Sequence, residues 1–358
     1  MVRDYSAFLF GAKPARREPT VLERLGWGPF FAQQIDADAL IATPPVRVFS
    51  VSRSGLQVVG DSIEETVPPG LEATVGDWLL LNRDRPRSSF VLARKSLIKR
   101  RAPGTARQVQ LIAANIDTVF VVTSCNSDFN IARLERYVAL AFEADLEPVI
   151  VLTKSDLAQD PSSYVMQAQT ISERVQVVAL DARGAQPTEI LDEWIGPGKT
   201  VAFLGSSGVG KSTLTNALLG EQSIATQGIR EDDARGRHTT THRELHLTRN
   251  GCLVLDTPGM RELRLTDAAD GVADVFEDII ALAQKCRFAN CRHATEPSCA
   301  VLEAIDDGSL EAARLTRWRK LQAEEAFNSA NLAERREKDR AFGKLVRNAV
   351  AAKPRNNK

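Results

Sequence analysis

The most constraining stretch of the 358-residue chain is Gly205-Ser-Ser-Gly-Val-Gly-Lys-Ser212. Its G-x-x-x-x-G-K-S spacing is that of a phosphate-binding loop. Thr200–Leu204, just before it, is short, apolar and β-prone, and Thr213–Leu219 after it is largely apolar with no helix breaker. Strand, loop and helix in that order make the pattern a site. Glycines let the backbone wrap a phosphate, and amide N–H groups at the helix start point at it. Lys211 is placed to reach the β- and γ-phosphates, and the Ser212 hydroxyl to hold Mg²⁺. Gly205, Ser206, Ser207, Gly208, Val209, Gly210 and Thr213 complete the cradle.

A phosphate loop alone does not choose the nucleotide. Downstream, Leu253–Leu255 is an apolar strand leading into Asp256-Thr-Pro-Gly259. In this D-x-P-G motif Asp256 binds Mg²⁺ through water, and the Gly259 amide senses the γ-phosphate. Upstream, the strand Val149–Leu152 ends in Thr153-Lys154-Ser155-Asp156, a T-K-x-D pattern of the kind that reads guanine. The Asp156 carboxylate can accept hydrogen bonds from guanine N1–H and N2–H₂. Adenine offers no such pair of donors, so an ATPase or kinase would leave the acid unpaired. Lys154 stacks its stem on the base. Guanine-nucleotide-binding proteins usually carry Asn where Thr153 stands.

The order of the motifs is as informative as their content. Ordinary GTPases have the phosphate loop first and the base-reading motif late. Here residues 153–156 precede 205–212, and 256–259 come last, which is a circular permutation. The chain resembles the circularly permuted, ribosome-small-subunit-dependent GTPases of the RsgA/YjeQ type over roughly residues 45 to 330. Supporting stretches are Val75-Gly-Asp-Trp78, Ala113-Ala-Asn-Ile-Asp117, Leu134-Glu-Arg-Tyr137, Gly236-Arg-His-Thr-Thr-Thr241 and a Cys/His cluster at 286–299.

The expected fold is multidomain α/β. Residues 1–44 form an N-terminal arm, with Leu22–Phe31 a short helix. Five short strands across residues 45–105 suit a small Greek-key barrel. An SH3-like barrel reads the same way, and the resemblance implies an OB-type RNA-binding barrel. Strand–helix alternation through residues 106–268 means βα units and a mainly parallel sheet, the permuted GTPase domain. Residues 269–330 read as a helical zinc-binding domain, with helices at Val272–Lys285, Val301–Ile305 and Leu310–Phe327, and 331–358 as a basic tail.

Composition narrows the partners. With 46 basic and 46 acidic residues the chain is formally neutral, so any nucleic-acid surface must be local. One local excess runs from Arg83 to Arg107, where Asp84 is the only acid and Arg94, Lys95, Lys99, Arg100 and Arg101 are the RNA-contact candidates. A solvated charged face is the alternative. No apolar run approaches a membrane span and no secretory signal is visible, so a cytoplasmic location is expected. Cys286, Cys291, His293 and Cys299 offer three thiolates and an imidazole, which close one structural tetrahedral zinc site. Cys125 and Cys252 stand apart as core residues.

Between the phosphate-loop helix and D-x-P-G lies the polar stretch 222–248, the place for a first switch. Thr240 is assigned to complete Mg²⁺ coordination, although Thr239 and Thr241 also meet the requirement. Met260 follows the D-x-P-G glycine, where many GTPases place a water-orienting Gln, and a thioether is a poor substitute. His238 is therefore the catalytic candidate, with ordering of the loop as its alternative role. The resemblance implies a monomeric GTPase that binds the small ribosomal subunit and its rRNA. GTP hydrolysis to GDP and phosphate, with Mg²⁺, would be stimulated by that subunit late in its maturation and coupled to release. The alternative is a nucleotide-gated rRNA-binding scaffold whose hydrolysis is incidental.

Overall fold

The computed structural model describes residues 18–36, 40, 42–101, 109–220, 243–256 and 268–329. The expected roles of His238, Thr240, Gly259 and the basic tail fall outside them. For Arg101 and Asp256 the description covers the strand they end, not their side chains.

An 11-stranded sheet organises the chain. The middle of its parallel part is β8 (Thr118–Ser124), buried at every position, as expected for a strand covered on both faces. β9 (Glu147–Thr153) and β10 (Gln176–Ala179) extend the sheet to one side of β8. β11 (Thr200–Leu204), β13 (Leu253–Asp256) and β12 (Arg243–Leu247) extend it to the other. All these pairings are parallel except β12 with β13. The order therefore reverses between β8 and β11, which in such sheets places the ligand crevice at the carboxyl ends of these two strands.

The sheet does not stop at β12. β1 (Pro45–Ser52) pairs with it antiparallel, Ser50 opposite Glu244 and Val51 opposite Arg243. β2 (Gly55–Gly60), β3 (Ile63–Val67), β4 (Trp78–Leu80) and β5 (Phe90–Val91) complete the five N-terminal strands. A register shift between Val48 and Ser50 lets β1 serve two partners. Its first half pairs with β4 and its end with β12, while β2 follows it throughout. β6 (Leu97–Arg101) and β7 (Val109–Ala114) form a separate hairpin, and the expected boundary at 105 falls between its two strands.

Helices depart from expectation at glycines and at one aromatic. The single helix expected over Leu22–Phe31 is two short ones, α1 (Val21–Arg24) and α2 (Pro29–Ala32). Gly26, with φ +88°, ends the first. The main helix on the sheet, α3 (Ile131–Glu143), is capped by Asn130 and buries Leu134, Tyr137, Val138 and Ala141. α4 (Pro161–Gln169) and α5 (Gln186–Ile190) follow, and α6 (Lys211–Leu219) carries the phosphate loop. The helix expected over Val272–Lys285 is α7 (Ala269–Val275) and α8 (Glu277–Ala283), broken at the fully buried Phe276. α9 (Ala300–Asp306) and α10 (Ala312–Ser329) complete the C-terminal module. α7 presses on α3 so closely that a Cβ on Gly271 would meet the Ala139 carbonyl oxygen at 2.1 Å.

Candidate nucleotide site and metal cluster

The phosphate loop leaves β11 at Leu204 and enters α6 at Lys211. Gly205 holds φ +148°, and a Cβ there would sit 2.2 Å from the Val122 carbonyl oxygen, so only glycine fits beside β8. Gly210, left-handed, is the residue before the helix. Lys211 donates its ammonium to the Gly205 carbonyl at 2.8 Å and to that of Ser206. It is thus folded back over the loop it is expected to serve. Ser212 and Thr213 lie in the first turn of α6.

Thr153 ends β9 at the same edge of the sheet. Lys154 takes a left-handed turn (φ +57°) into a short 3₁₀ segment, Ser155–Leu157, which carries Asp156. The structure therefore brings 153–156, 205–213 and the end of β13 to the carboxyl edge where the strand order reverses. The Asp156 carboxylate accepts from Arg183 Nη2 at 2.6 Å. Arg183 is held in turn by Asp181, through Nε at 2.9 Å and Nη2 at 3.0 Å. The hydrogen bond from Arg183 is the main reason the Asp181 carboxyl is held below its ordinary range. The sequence analysis did not single out Arg183, whose partner Asp156 lies 27 residues away and meets it only in the folded chain.

In the C-terminal module, four ligand atoms from Cys286, Cys291, His293 and Cys299 lie within 4.8 Å of one another. Cys286 and Cys299 Sγ are 3.8 Å apart, and His293 Nδ1 is 3.6 and 3.4 Å from them. Tetrahedral zinc with ordinary Zn–S and Zn–N bonds requires edges of about 3.8 Å for S–S and about 3.5 Å for N–S. The cluster fits that ion and leaves no open coordination position. Burial, with the neighbouring sulfurs, pushes the Cys291 thiol up to about 11. A bound dication would stabilise the thiolate instead. The loop is braced from outside. Glu296 accepts the amides of Arg292, Ala294 and Thr295, and these bonds hold its carboxyl down at about 2. Arg319 of α10 donates to the Arg292 and His293 carbonyls. The other two cysteines are buried, and burial pushes Cys252 up to about 12.

The basic run divides. Arg94 forms a two-pronged pair with the buried carboxylate of Asp77, at 2.7 and 2.9 Å, and also bonds the Glu72 carbonyl. The guanidinium is only half-buried, but it is tied to Asp77, so Arg94 is the least free of the RNA candidates. Lys95 stands 5.2 Å over the Phe31 ring and 3.8 Å from Asp117. Arg100 bonds the Gln110 side chain. Lys99 is exposed.

The same architecture occurs in known proteins. The family model described as RsgA GTPase matches residues 91–266. A Vibrio parahaemolyticus protein named small ribosomal subunit biogenesis GTPase RsgA 2 is 48% identical over 340 residues, 93% of each chain. The chain belongs to the RsgA GTPase family. A Mesorhizobium japonicum protein named small ribosomal subunit biogenesis GTPase RsgA is 47% identical, over 86% of this chain and 91% of its own. The crystal structure of YjeQ from Thermotoga maritima superposes with a TM-score of 0.56 at 26% identity, covering 77% of this chain and 96% of that one. Membership gives meaning to stretches that carry no nucleotide chemistry. Val75–Trp78 and Ala113–Asp117 meet where the N-terminal strands join the large sheet. Val75 bridges Ala113, Asn115 donates to the Gly76 carbonyl at 3.0 Å, and Asp117 accepts the Thr200 amide at 2.8 Å.

Proposed function

We propose that this protein is a GTPase of small-ribosomal-subunit biogenesis, hydrolysing GTP to GDP and phosphate with Mg²⁺. The observation that carries the reading is the meeting of the phosphate loop and the T-K-x-D turn at the strand-order reversal, within a chain of the RsgA GTPase family. On this reading Asp156 selects guanine, residues 205–213 and Lys211 hold the phosphates, and Ser212, Thr240 and Asp256 serve the Mg²⁺. Gly259 senses the γ-phosphate. Zinc in the Cys286–Cys291–His293–Cys299 cluster stiffens the C-terminal module and takes no part in chemistry. The five N-terminal strands act as an OB-type barrel. The neighbouring strand β6 contacts rRNA through the exposed Lys99, with Arg100 and Arg101 next to it in the chain. The protein works as a monomer in the cytoplasm. Among the described residues no helix is long and apolar enough to cross a membrane.

Water activation falls to His238, because Met260 cannot orient water. The test is GTP turnover with and without isolated small subunits. Slow intrinsic turnover and strong stimulation are expected, and His238→Ala should remove roughly 10²–10⁴-fold of the stimulated rate with GTP affinity little changed. Wild-type turnover by His238→Ala on the subunit would remove the histidine from the mechanism. No stimulation of the wild type would remove the subunit.

A further inference from the structure

Thr153 stands where guanine-binding proteins usually carry Asn, and its side chain faces the phosphate loop. It is fully buried. The hydroxyl oxygen lies 2.6 Å from the Val209 carbonyl oxygen and 3.1 Å from that of Thr123. The nearest atoms to a Cβ placed on Gly210 all belong to the Thr153 side chain, at 3.4–3.6 Å. The Thr153 carbonyl accepts the Cys125 amide at 2.9 Å. The end of β9 is therefore fixed to β8 on one side and to the phosphate loop on the other.

A hydroxyl has a single hydrogen. Guanine N7 is an acceptor, so reading it would need the proton that Thr153 directs at main-chain carbonyls. The bond to Val209 has a further consequence. In a planar trans peptide the C=O and the following N–H point opposite ways. Holding the Val209 carbonyl against Thr153 therefore turns the Gly210 amide away from Thr153. That is the orientation an anion needs, because the flipped peptide would present an oxygen to phosphate. Gly210, on the far side of this peptide, offers little resistance to such a flip.

We propose that Thr153 is a positioning residue, which sets the Val209–Gly210 peptide for phosphate binding and does not read the base. The inference rests on the guanine-nucleotide reading of the site. It is tested on the full chain by measuring affinities of Thr153→Val and Thr153→Ser for GTP, GDP, guanosine and 7-deaza-GTP, which lacks N7. Thr153→Val should weaken GTP and GDP by roughly tenfold, the order expected for a lost buried hydrogen bond. Guanosine should be little affected, and the GTP to 7-deaza-GTP ratio should stay at its wild-type value. Thr153→Ser should restore binding. If Thr153→Val lowers GTP affinity but leaves 7-deaza-GTP untouched, the residue reads N7 and the proposal is overturned. Unchanged GTP and GDP affinities, or a folded Thr153→Ser that fails to restore them, overturn it equally. Should Thr153→Val be too unstable to purify, Thr153→Ala makes the same comparison. A wild-type chain that binds no guanine nucleotide would instead sink the site reading.

Discussion

Two buried arginines join the permuted domain to its neighbours, and they do so by different physics. Arg47, on β1, has no carboxylate hydrogen-bond partner among the described residues. Its guanidinium donates to the carbonyls of Leu25 at 2.5 Å, Gly76 at 3.3 Å and Asn115 at 2.9 Å, three segments far apart in the chain. Burial pushes it down to about 10, against the pull of Asp117 and Asp77. Arg314, on α10, is held by acids and by two main-chain carbonyls, of Val275 at 2.9 Å and Ile171 at 3.2 Å. Asp278 grips it at 2.6 and 2.9 Å, and the buried Glu135 of α3 lies at 3.4 Å while also holding Arg317 at 2.9 and 3.0 Å. Its face covers the Phe276 ring at 4.8 Å. The N-terminal joint is therefore built from main-chain groups that cannot rearrange without unfolding a segment. The C-terminal joint rests mainly on side chains of two modules, with the Ile171 carbonyl, 3.2 Å from Arg314 Nη2, as its main-chain contact, so it is the easier of the two to part. The module carrying the cysteine cluster is the one that follows D-x-P-G in the chain. Any shift driven by loss of the γ-phosphate has to part or carry this side-chain joint.

The largest effect should come from Arg47→Met. It leaves the buried carbonyl oxygens of Leu25 and Asn115 without a donor, while that of Gly76 keeps the Asn115 amide, at a cost of about 1–3 kcal/mol for each group left unsatisfied. Denaturant unfolding should show the loss, and limited proteolysis should show early release of α1 and α2. If Arg47→Met unfolds at the wild-type midpoint, the carbonyl joint is not a constraint and the contrast with Arg314 collapses.

Next in size is Glu135→Gln. It leaves Arg314 and Arg317 with less counter-charge in a buried place, and about 1.5–3 kcal/mol is expected, the range for hydrogen bonds to charged groups. The effect should appear as separation of the C-terminal module, followed by hydrogen exchange in α3 and α10, with the N-terminal strands unchanged. A uniform loss of protection over the whole chain would mean that the two joints are one cooperative unit.

How much of this was legible in the sequence depends on the reach of each interaction. Residues 205–212 and 153–156 are local patterns, because a phosphate or a base edge needs several groups from one turn of chain. The cysteine cluster is compact for the same reason, spanning 286 to 299. The joints have no such pattern. Arg47 meets Asn115 across 68 residues, and Arg314 meets Glu135 across 179. On α3, Glu135 carries the composition of a solvated residue, yet it is wholly buried. Burial raises its carboxyl pKa, and the two arginines only partly offset the shift. Most strand positions were readable from apolar runs, but the β6–β7 hairpin was not, because β6 ends in Lys99-Arg100-Arg101 and reads as a charge run. The pairing of β1 with β12 was not, since it depends on a register shift at Val48–Ser50 that no composition signals. Arg94 is less free than its sequence context implies for a related reason: a charge run looks solvated until its buried partner, Asp77, is placed.

A third arginine sharpens the comparison at its exposed end. Arg183 also bonds a carboxylate, but two-thirds of its side chain is open to water (66%), so its pairing is screened and weak. What matters is which carboxylate it takes. Asp156 Oδ2, 2.6 Å from Arg183 Nη2, belongs to the group that guanine N1–H and N2–H₂ would occupy. On the proposed guanine reading an incoming base would displace the arginine, and Asp181 is positioned to keep it, since it already holds both Nε and Nη2. Arg183 is thus expected to compete with the base. Arg183→Ala should tighten GDP by about two- to fivefold, the scale of an exposed ion pair, and the gain should shrink as salt rises. Asp181→Asn should act the opposite way, because an arginine released from Asp181 settles more firmly on Asp156. Equilibrium titration with a fluorescent GDP analogue at low and high ionic strength reads both variants. If Arg183→Ala weakens GDP, the guanidinium packs on the base instead of competing with it, and this exposed arginine becomes part of the recognition surface.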